Sequence, residues 1–374
     1  MKIKAAVIRQ MSLPQPYAKS RPLAIEEVDL GKPGERELLV QVKAAGLCHS
    51  DLSTINGDRP RQMPMVLGHE AAGVVVECGS GVHDLKPGDH VVMVFAPSCG
   101  ECLACQEGHP GRCEPGQKAN GAGKLLGDTM RLSQNGQPVY HHVGVSAFAE
   151  HCVVNRGSVV KIDEQLPFDE AALFGCAVLT GVGAALNTAQ VFPGARVAVV
   201  GLGGVGLNAL FGAQVAGASQ VIALDVHEDK LELARKLGAT DVVNANNPDA
   251  IQKVKDLSNG GVDFGFEMAG SVQAMELAYR ITRRGGTTVT AGLPHPDARW
   301  QLQHVNLTAE ERTVKGSYVG SCVPPRDLPR YVELYRKGKL PVNRLLSDHI
   351  SLAQINEGFD RLASGHTVRQ IVML

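Results

Sequence analysis

Apolar and polar positions follow two different patterns along the chain. Over the first 150 residues the apolar runs are short and separated by turns. Leu38-Leu-Val-Gln-Val-Lys and Ala72-Gly-Val-Val-Val-Glu read as strands, and Lys86-Pro87-Gly88-Asp89 reads as a turn into Val91-Val-Met-Val. Phe148 to Val154 reads as a closing strand. Glycine, proline and cysteine dominate from Pro97 to Gly127, where regular structure is not expected and something other than a hydrophobic core must hold the chain. From about Thr180 strands and helices alternate. Glu228 to Leu237 puts Leu231, Ala234 and Leu237 on one helical face with Gly238 behind it, Val262 to Glu267 is a strand, and Ser271 caps a helix carrying Met275, Ala278 and Ile281. Gly286 to Gly292 returns as a strand, a helix is expected from Leu328 to Arg336, and Ser351 with Gln354 forms a capping box before Ile355, Phe359 and Leu362. Alternation of this kind predicts an α/β fold with a doubly wound parallel sheet beside a mostly-β part.

The alternating part opens on Arg196 to Asp225. Val197-Ala-Val-Val is a wholly apolar run suited to a strand buried on both faces, followed by Gly201-Leu-Gly203-Gly204-Val205-Gly206 and a helix-compatible segment. Gly201 permits a tight turn, Gly203 lets the backbone approach a pyrophosphate, and Gly206 lets the helix pack on the strand. Asp225 stands nineteen residues past Gly206, at the end of a second apolar run, where a carboxylate accepts from a ribose diol and repels a 2′-phosphate. The reading is NAD before NADP. Val197 to Leu224 carries no charge and is long enough to cross a bilayer, but six glycines and Asn208, Gln214, Ser219 and Gln220 interrupt it, so a buried βαβ unit is expected instead.

Composition narrows the field without naming a chemistry. The 374 residues suffice for two domains, and 37 Lys plus Arg against 38 Asp plus Glu leave a formal charge of −1, so no global field favours nucleic acid or an anionic membrane. The opening Met1-Lys-Ile-Lys-Ala-Ala-Val lacks the apolar core of a signal peptide, which points to the cytoplasm. Nine cysteines in such a chain argue for metal or thiol chemistry over a disulfide framework.

Cys99, Cys102, Cys105 and Cys113 make C-x2-C-x2-C-x7-C inside the irregular stretch, a donor set that closes a tetrahedral structural zinc site and staples a loop with few apolar residues. An iron–sulfur cluster is the other reading of this spacing, although the proline that follows ferredoxin runs is absent. Cys48, His69 and Cys176 are a second candidate set. Two thiolates and an imidazole leave a fourth position open on zinc, as catalysis requires, but spacing alone does not bring the three together.

Taken together, Gly46-x-Cys48-His49-Ser50-Asp51, Gly68-His69-Glu70-x2-Gly73, the four-cysteine lobe, Gly175-Cys176-x3-Thr180-Gly181, the Gly201 to Gly206 loop with Asp225, and Arg312-Thr-Val-Lys-Gly316 resemble the zinc-dependent medium-chain alcohol dehydrogenases over nearly the whole chain. The long segment Glu114 to Ala147 looks most like the animal-type and glutathione-dependent formaldehyde dehydrogenase branch. The resemblance implies a GroES-like, zinc-binding catalytic domain over 1–178 and 322–374 and a Rossmann NAD-binding domain over 179–321. It implies two zincs per subunit, a catalytic one on Cys48, His69 and Cys176 with Glu70 behind it, and a structural one on the lobe. Ser50 matches the hydroxyl that takes the alcohol proton, and Asp51 matches a residue that orients His69. His49 and Arg369 match contacts to the cofactor pyrophosphate, Lys230 a contact to the adenosine ribose, and Thr180 and Val205 the flanks of the nicotinamide. Phe95 and Phe148 match positions lining an apolar substrate pocket. The family is oligomeric and this branch is commonly dimeric, so a homodimer is expected.

Two departures bear on chemistry. Ser53 stands where many members have a histidine ending a proton relay, and Gln117, followed by Lys118, stands where the glutathione-dependent branch has an arginine for glutathione's carboxylate. Asp58 matches that branch's acidic pocket residue only roughly. Medium-chain or aromatic primary alcohols are therefore the expected substrates, with S-(hydroxymethyl)glutathione the alternative. A non-catalytic relative of the metal-free quinone oxidoreductases would lack these seven zinc ligands, and a zinc-finger nucleic-acid module is opposed by the charge balance and the NAD loop. Cys78, Cys152 and Cys322 read as small buried hydrophobes.

Overall fold

Strand pairing in the first part of the chain produces a barrel and an open sheet. The computed structural model describes residues 1–374. Lys2–Ile8, Leu23–Leu30, Leu132–Gln134, Gln137–His141 and Met65–Val66 close into a five-stranded barrel. Beside it lies a seven-stranded sheet in the order Val159–Lys161, His90–Met93, Glu70–Cys78, Glu37–Gly46, Arg369–Met373, Leu346–Ser351, with His151–Asn155 also paired to Glu37–Gly46. Strand alternation puts Ile3, Val7, Leu30, Leu132 and Val139 into one core and Val40, Val42, Ala71 and Val75 into another, where Leu47, Leu67, Phe148 and the helical Phe359 join them. These elements form a unit of Met1–Cys176, Val323–Val332 and Val342–Leu374.

Ala177–Cys322 with Glu333–Pro341 forms the second unit. Its six strands are all parallel, in the order Asp241–Asn244, Gln220–Asp225, Arg196–Val200, Val262–Glu267, Thr282–Thr290, Thr313–Gly316. This is the doubly wound order, with its switch point between Arg196–Val200 and Val262–Glu267. The sequence-based division after residue 178 lies two residues beyond the observed one, and the short return of Glu333–Pro341 to this unit has no counterpart in the expected boundaries.

Local signals explain most of the elements. Ser271 Oγ accepts from the Ala274 amide at 3.1 Å to start Val272–Ile281, and Ser351 pairs with Gln354 ahead of Ile355–Ala363. The uncharged stretch from Val197 to Leu224 is strand, helix and strand. The one helix long and apolar enough to cross a membrane is Phe168–Ala189, and 89% of its most apolar window is buried inside the protein. Two expectations fail: the stretch read as irregular holds the helices Leu103–Gln106 and Glu114–Gly121, and the closing strand expected over Phe148 to Val154 covers His151–Asn155. Cys113 Sγ accepts the Gly116 amide at 3.4 Å and Pro115 occupies the first turn, so a thiol does the capping that a hydroxyl usually does.

The barrel carries a pH-dependent element. His141 is buried, its Nε2 accepts the Arg131 amide at 3.0 Å, and burial, aided by Arg131 and opposed by Glu37, lowers its pKa from 6.5 to about 4. The unfolded chain therefore binds a proton that the folded chain refuses between these values, so this residue's contribution falls as pH drops from about 7 to 4. H141Q keeps an acceptor for the Arg131 amide. Chemical denaturation across pH 7 to 4 should show the wild type losing up to about 3 kcal/mol more than H141Q, and parallel pH profiles would contradict this account.

Candidate functional site

Strand register brings the first site together. Gly46 pairs with Glu70, Ala71 with Met93, and Ile371 with Gly46, so neighbouring strands run out or begin along one line across the sheet. Cys48 lies two residues past Gly46, His69 just ahead of Glu70, and Arg369 two residues ahead of Ile371. Cys176 joins them through the helix after Phe168: a Cβ on Gly175 would collide with the Met93 carbonyl, so glycine allows that helix to press against the end of the sheet. The helix widens to i→i+5 bonding over Phe174–Val178, around Cys176, a distortion that recurs at functional sites. The ligand atoms of Cys48, His69 and Cys176 all lie within 4.8 Å of one another, and all three residues are buried.

Buried thiols without a metal perturb one another strongly. The Cys176 thiol donates to Cys48 and, with His69 and Arg369 nearby, holds Cys48 well below the usual thiol range despite burial. Cys176, as the donor and also buried, is pushed well above it. His69 is raised, against the cost of burial, by the carboxylate of Asp51 and the thiolate of Cys48. Asp51 Oδ1 lies 3.1 Å from His69 Nδ1, so Nδ1–H donates and Nε2 is left for a metal. Behind this group sits Glu70, fully buried, with neither carboxylate oxygen hydrogen-bonded. Burial raises it to about 7 even though Arg369, with its Nε 3.8 Å from Glu70 Oε1, acts to lower it. A buried, orphaned carboxylate behind two thiols and an imidazole fits a divalent cation and is costly without one.

The four-cysteine set also converges, with its sulfurs within 4.8 Å. Backbone amides aim at sulfur throughout: Cys99 and Gly116 donate to Cys113, and Glu101 and Cys102 to Cys99, at 3.3–3.4 Å. Donation from the Cys105 amide lowers Cys102 to about 7, whereas burial raises Cys105 to about 12. Leu103 between them is 71% exposed, so apolar burial does not hold this loop. Four sulfurs within reach of one ion leave no position open for substrate.

The second unit has its own site at the carboxyl ends of its strands. Gly201 has φ +94°, in the region that favours glycine, and a Cβ on Gly206 would collide with the Gly201 carbonyl. Nothing stands within 4 Å of the Cβ position of Gly203, which leaves the turn open at the start of Gly204–Val215. Asp225 Oδ2 accepts the Leu202 amide at 2.7 Å and Oδ1 the His227 amide at 3.0 Å, tying the acid to the glycine loop. A cavity of about 480 Å³ opens beside it, with Gly201 and Asp225 at one side and Val226, Ile251, Ala274 and Leu277 as apolar walls.

Not every expected residue falls where the sequence placed it. Phe148 is fully buried in the first unit's core, edge-on to Phe359 with centroids 6.0 Å apart. Phe95 does reach the site, its ring edge-on to His69 at 5.4 Å. Ser50 Oγ is 3.8 Å from Cys48 Sγ, and His49 is exposed at the start of the same helix. Arg369 is buried, donating to the Leu47 carbonyl at 3.2 Å and facing Glu70. Thr180 and Lys230 are buried, Gly204 and Val205 begin the helix after the loop, and Lys230 is not in the cavity wall. Cys152 and Cys322 are buried as expected, but Cys78 is only half-buried, donating to the Leu85 carbonyl at 3.5 Å. His142 went unnoticed in the sequence: a histidine next to His141 at a strand end carries no spacing signal, yet it lies against both Asp51 and His69.

Known proteins match this arrangement along its whole length. Residues 34–164 match the alcohol dehydrogenase GroES-like domain, and residues 204–337 match the zinc-binding dehydrogenase family. The chain is 38% identical to alcohol dehydrogenase 1 of Zea mays, covering all of this chain and 98% of that protein. It is 39% identical to an S-(hydroxymethyl)glutathione dehydrogenase of Escherichia coli, covering all of both. Benzyl alcohol dehydrogenase from Acinetobacter calcoaceticus superposes with a TM-score of 0.93 at 31% identity, over all of this chain and 99% of that one. With the cysteine and histidine ligand sets assembled and both halves matched, the chain belongs to the zinc-dependent medium-chain alcohol dehydrogenase family.

Proposed function

We propose that the protein oxidises medium-chain or aromatic primary alcohols reversibly to aldehydes with NAD, using a catalytic zinc on Cys48, His69 and Cys176 and a structural zinc on Cys99, Cys102, Cys105 and Cys113. The observation that carries this reading is the convergence of two thiols and an imidazole, from three separated stretches of sequence, within 4.8 Å. Zinc, when bound, supplies a Lewis acid that makes an alcohol easier to deprotonate. The chain's own residues do the rest. Asp51 holds the Nδ1–H of His69, and the Ser50 hydroxyl, in the turn after Cys48, takes the alcohol proton. Ser53 supplies no imidazole on that helix, so the proton leaves toward water or another base.

The glycine loop and the start of Gly204–Val215 offer backbone amides to a pyrophosphate, and the apolar walls at Val226, Ile251, Ala274 and Leu277 suit an adenine ring. Asp225, fixed by two amides, keeps a lone pair on each oxygen for a ribose diol and opposes a 2′-phosphate. Phe95 beside His69 favours an apolar alcohol. The relatives named S-(hydroxymethyl)glutathione dehydrogenase keep that adduct as the second reading, weakened by Gln117 where a cation is expected.

Steady-state kinetics with NAD and NADP decide among these. The kcat/KM should rise from ethanol to octanol and benzyl alcohol, stay lower for formaldehyde plus glutathione, and favour NAD over NADP. A fall with substrate size would overturn the pocket assignment, the best rate with the glutathione adduct would install the second reading, and a preference for NADP would overturn the role of Asp225.

We also place the protein in the cytoplasm as a homodimer. Thr313–Gly316 is an edge strand paired on one side only and largely open to solvent, which leaves backbone groups free to pair with a second copy. Light scattering should give twice the 39.7 kDa chain mass, and a monomer would contradict it.

A further inference from the structure

Asp51 touches more than His69. Its carboxylate is fully buried; Oδ2 accepts the Cys48 amide at 3.2 Å, and Oδ1 accepts the Gly68 amide at 3.2 Å and faces His69 Nδ1 at 3.1 Å. His142 Nδ1 lies 3.3 Å from the same Oδ1, off the line of a hydrogen bond in this conformation, and has no hydrogen-bond partner on any other group. The two imidazoles meet edge to face, with centroids 5.5 Å apart and planes at 73°. His142 is buried, and its backbone amide donates to Ser146 Oγ at 2.9 Å, which fixes the turn that presents the ring. A nitrogen lone pair facing a carboxylate at this distance would be repelled, so His142 Nδ1 carries a hydrogen. The ligand atoms of Asp51, His69 and His142 are close enough to surround a cation, but N–H groups already aimed at Oδ1 make this a hydrogen-bonding centre.

We propose that His142 is a positioning residue for the catalytic metal. It sits against the same oxygen of Asp51 to which His69 donates, which limits how far the carboxylate can turn and so fixes the direction in which His69 presents Nε2. The amides of Gly68 and Cys48 complete the clamp and tie it to the backbone beside two of the three ligands. Losing an outer partner of a ligating histidine costs about 10- to 100-fold in metal affinity, and His142 acts on His69 through the same carboxylate. This inference rests on the metal assignment to Cys48, His69 and Cys176.

The test compares H142L, which keeps bulk but no donor, with H142N, whose side-chain amide stands near the former Nδ1. Zinc affinity is read by competition with a chelator, and ligand geometry by the visible spectrum of the cobalt-substituted protein. H142L should bind the catalytic zinc about tenfold or more weakly, with a shifted cobalt spectrum, while H142N recovers to within a few-fold and zinc on the four-cysteine lobe is held as before. D51N should also weaken binding, and D51N/H142L should be no weaker than D51N alone. Wild-type affinity and an unshifted cobalt spectrum in H142L overturn the proposal. Should H142L fail to fold, the nitrogen-15 imidazole spectrum of the wild-type holoenzyme decides: His142 should be the Nδ1–H tautomer, and the Nε2–H tautomer overturns the proposal. A wild-type protein that binds zinc on the lobe alone overturns the metal assignment and this inference together, and its zinc content reveals that case before any variant is made.

Discussion

The site of Cys48, His69 and Cys176 depends on the register of four strands. Gly46 opposite Glu70, Ala71 opposite Met93 and Ile371 opposite Gly46 set one line, with Glu70 on it and Cys48, His69 and Arg369 just beyond it. A slip of one residue in the pairing of Glu37–Gly46 with Glu70–Cys78 would turn every side chain of one strand to the opposite face and separate thiol from imidazole. The apolar core enforces the register: Val40, Val42, Ala71 and Val75 from the two strands are buried in one cluster and would be exposed by the slip. Packing energy spread over the sheet thus fixes the positions of a few polar atoms at its edge.

That edge is electrostatically poised. Two thiols, two carboxylates, two imidazoles and a guanidinium lie in or against the buried group, and each is shifted by burial together with its neighbours. Such a cluster leaves Glu70 with no hydrogen-bond donor and Arg369 Nε with no acceptor at bonding distance. Buried charge is tolerable where a divalent cation completes it, which is why the arrangement reads as a site and not as a stabilising network. The lobe solves a different problem. It has too little apolar surface to fold on, and its amides are spent on sulfur, so its order depends on what the sulfurs hold.

The second unit was the more legible half of the sequence. Buried parallel strands appear as apolar runs, the glycines of the loop have separate steric duties, and Asp225 at the end of the next strand is tied to the loop by the Leu202 amide. The four-cysteine spacing was equally plain, because its ligands are close in sequence. Convergence of Cys48, His69 and Cys176 was not readable from spacing, since strand register and the tight contact at Gly175 create it. His142 was invisible because its partner, Asp51, is 91 residues away in the chain. The helix Glu114–Gly121 was missed because a cysteine rather than a hydroxyl residue caps it.

The central claim is that Cys48, His69 and Cys176 hold a zinc distinct from that of the lobe. Zinc K-edge absorption spectroscopy on the purified wild-type protein, with total metal measured on the same sample, tests it most directly. The account predicts two zincs per chain and an average shell of about three sulfurs and one nitrogen or oxygen, the mean of an all-sulfur site and one with two sulfurs. One zinc per chain in a shell of four sulfurs would leave the lobe intact and contradict the claim.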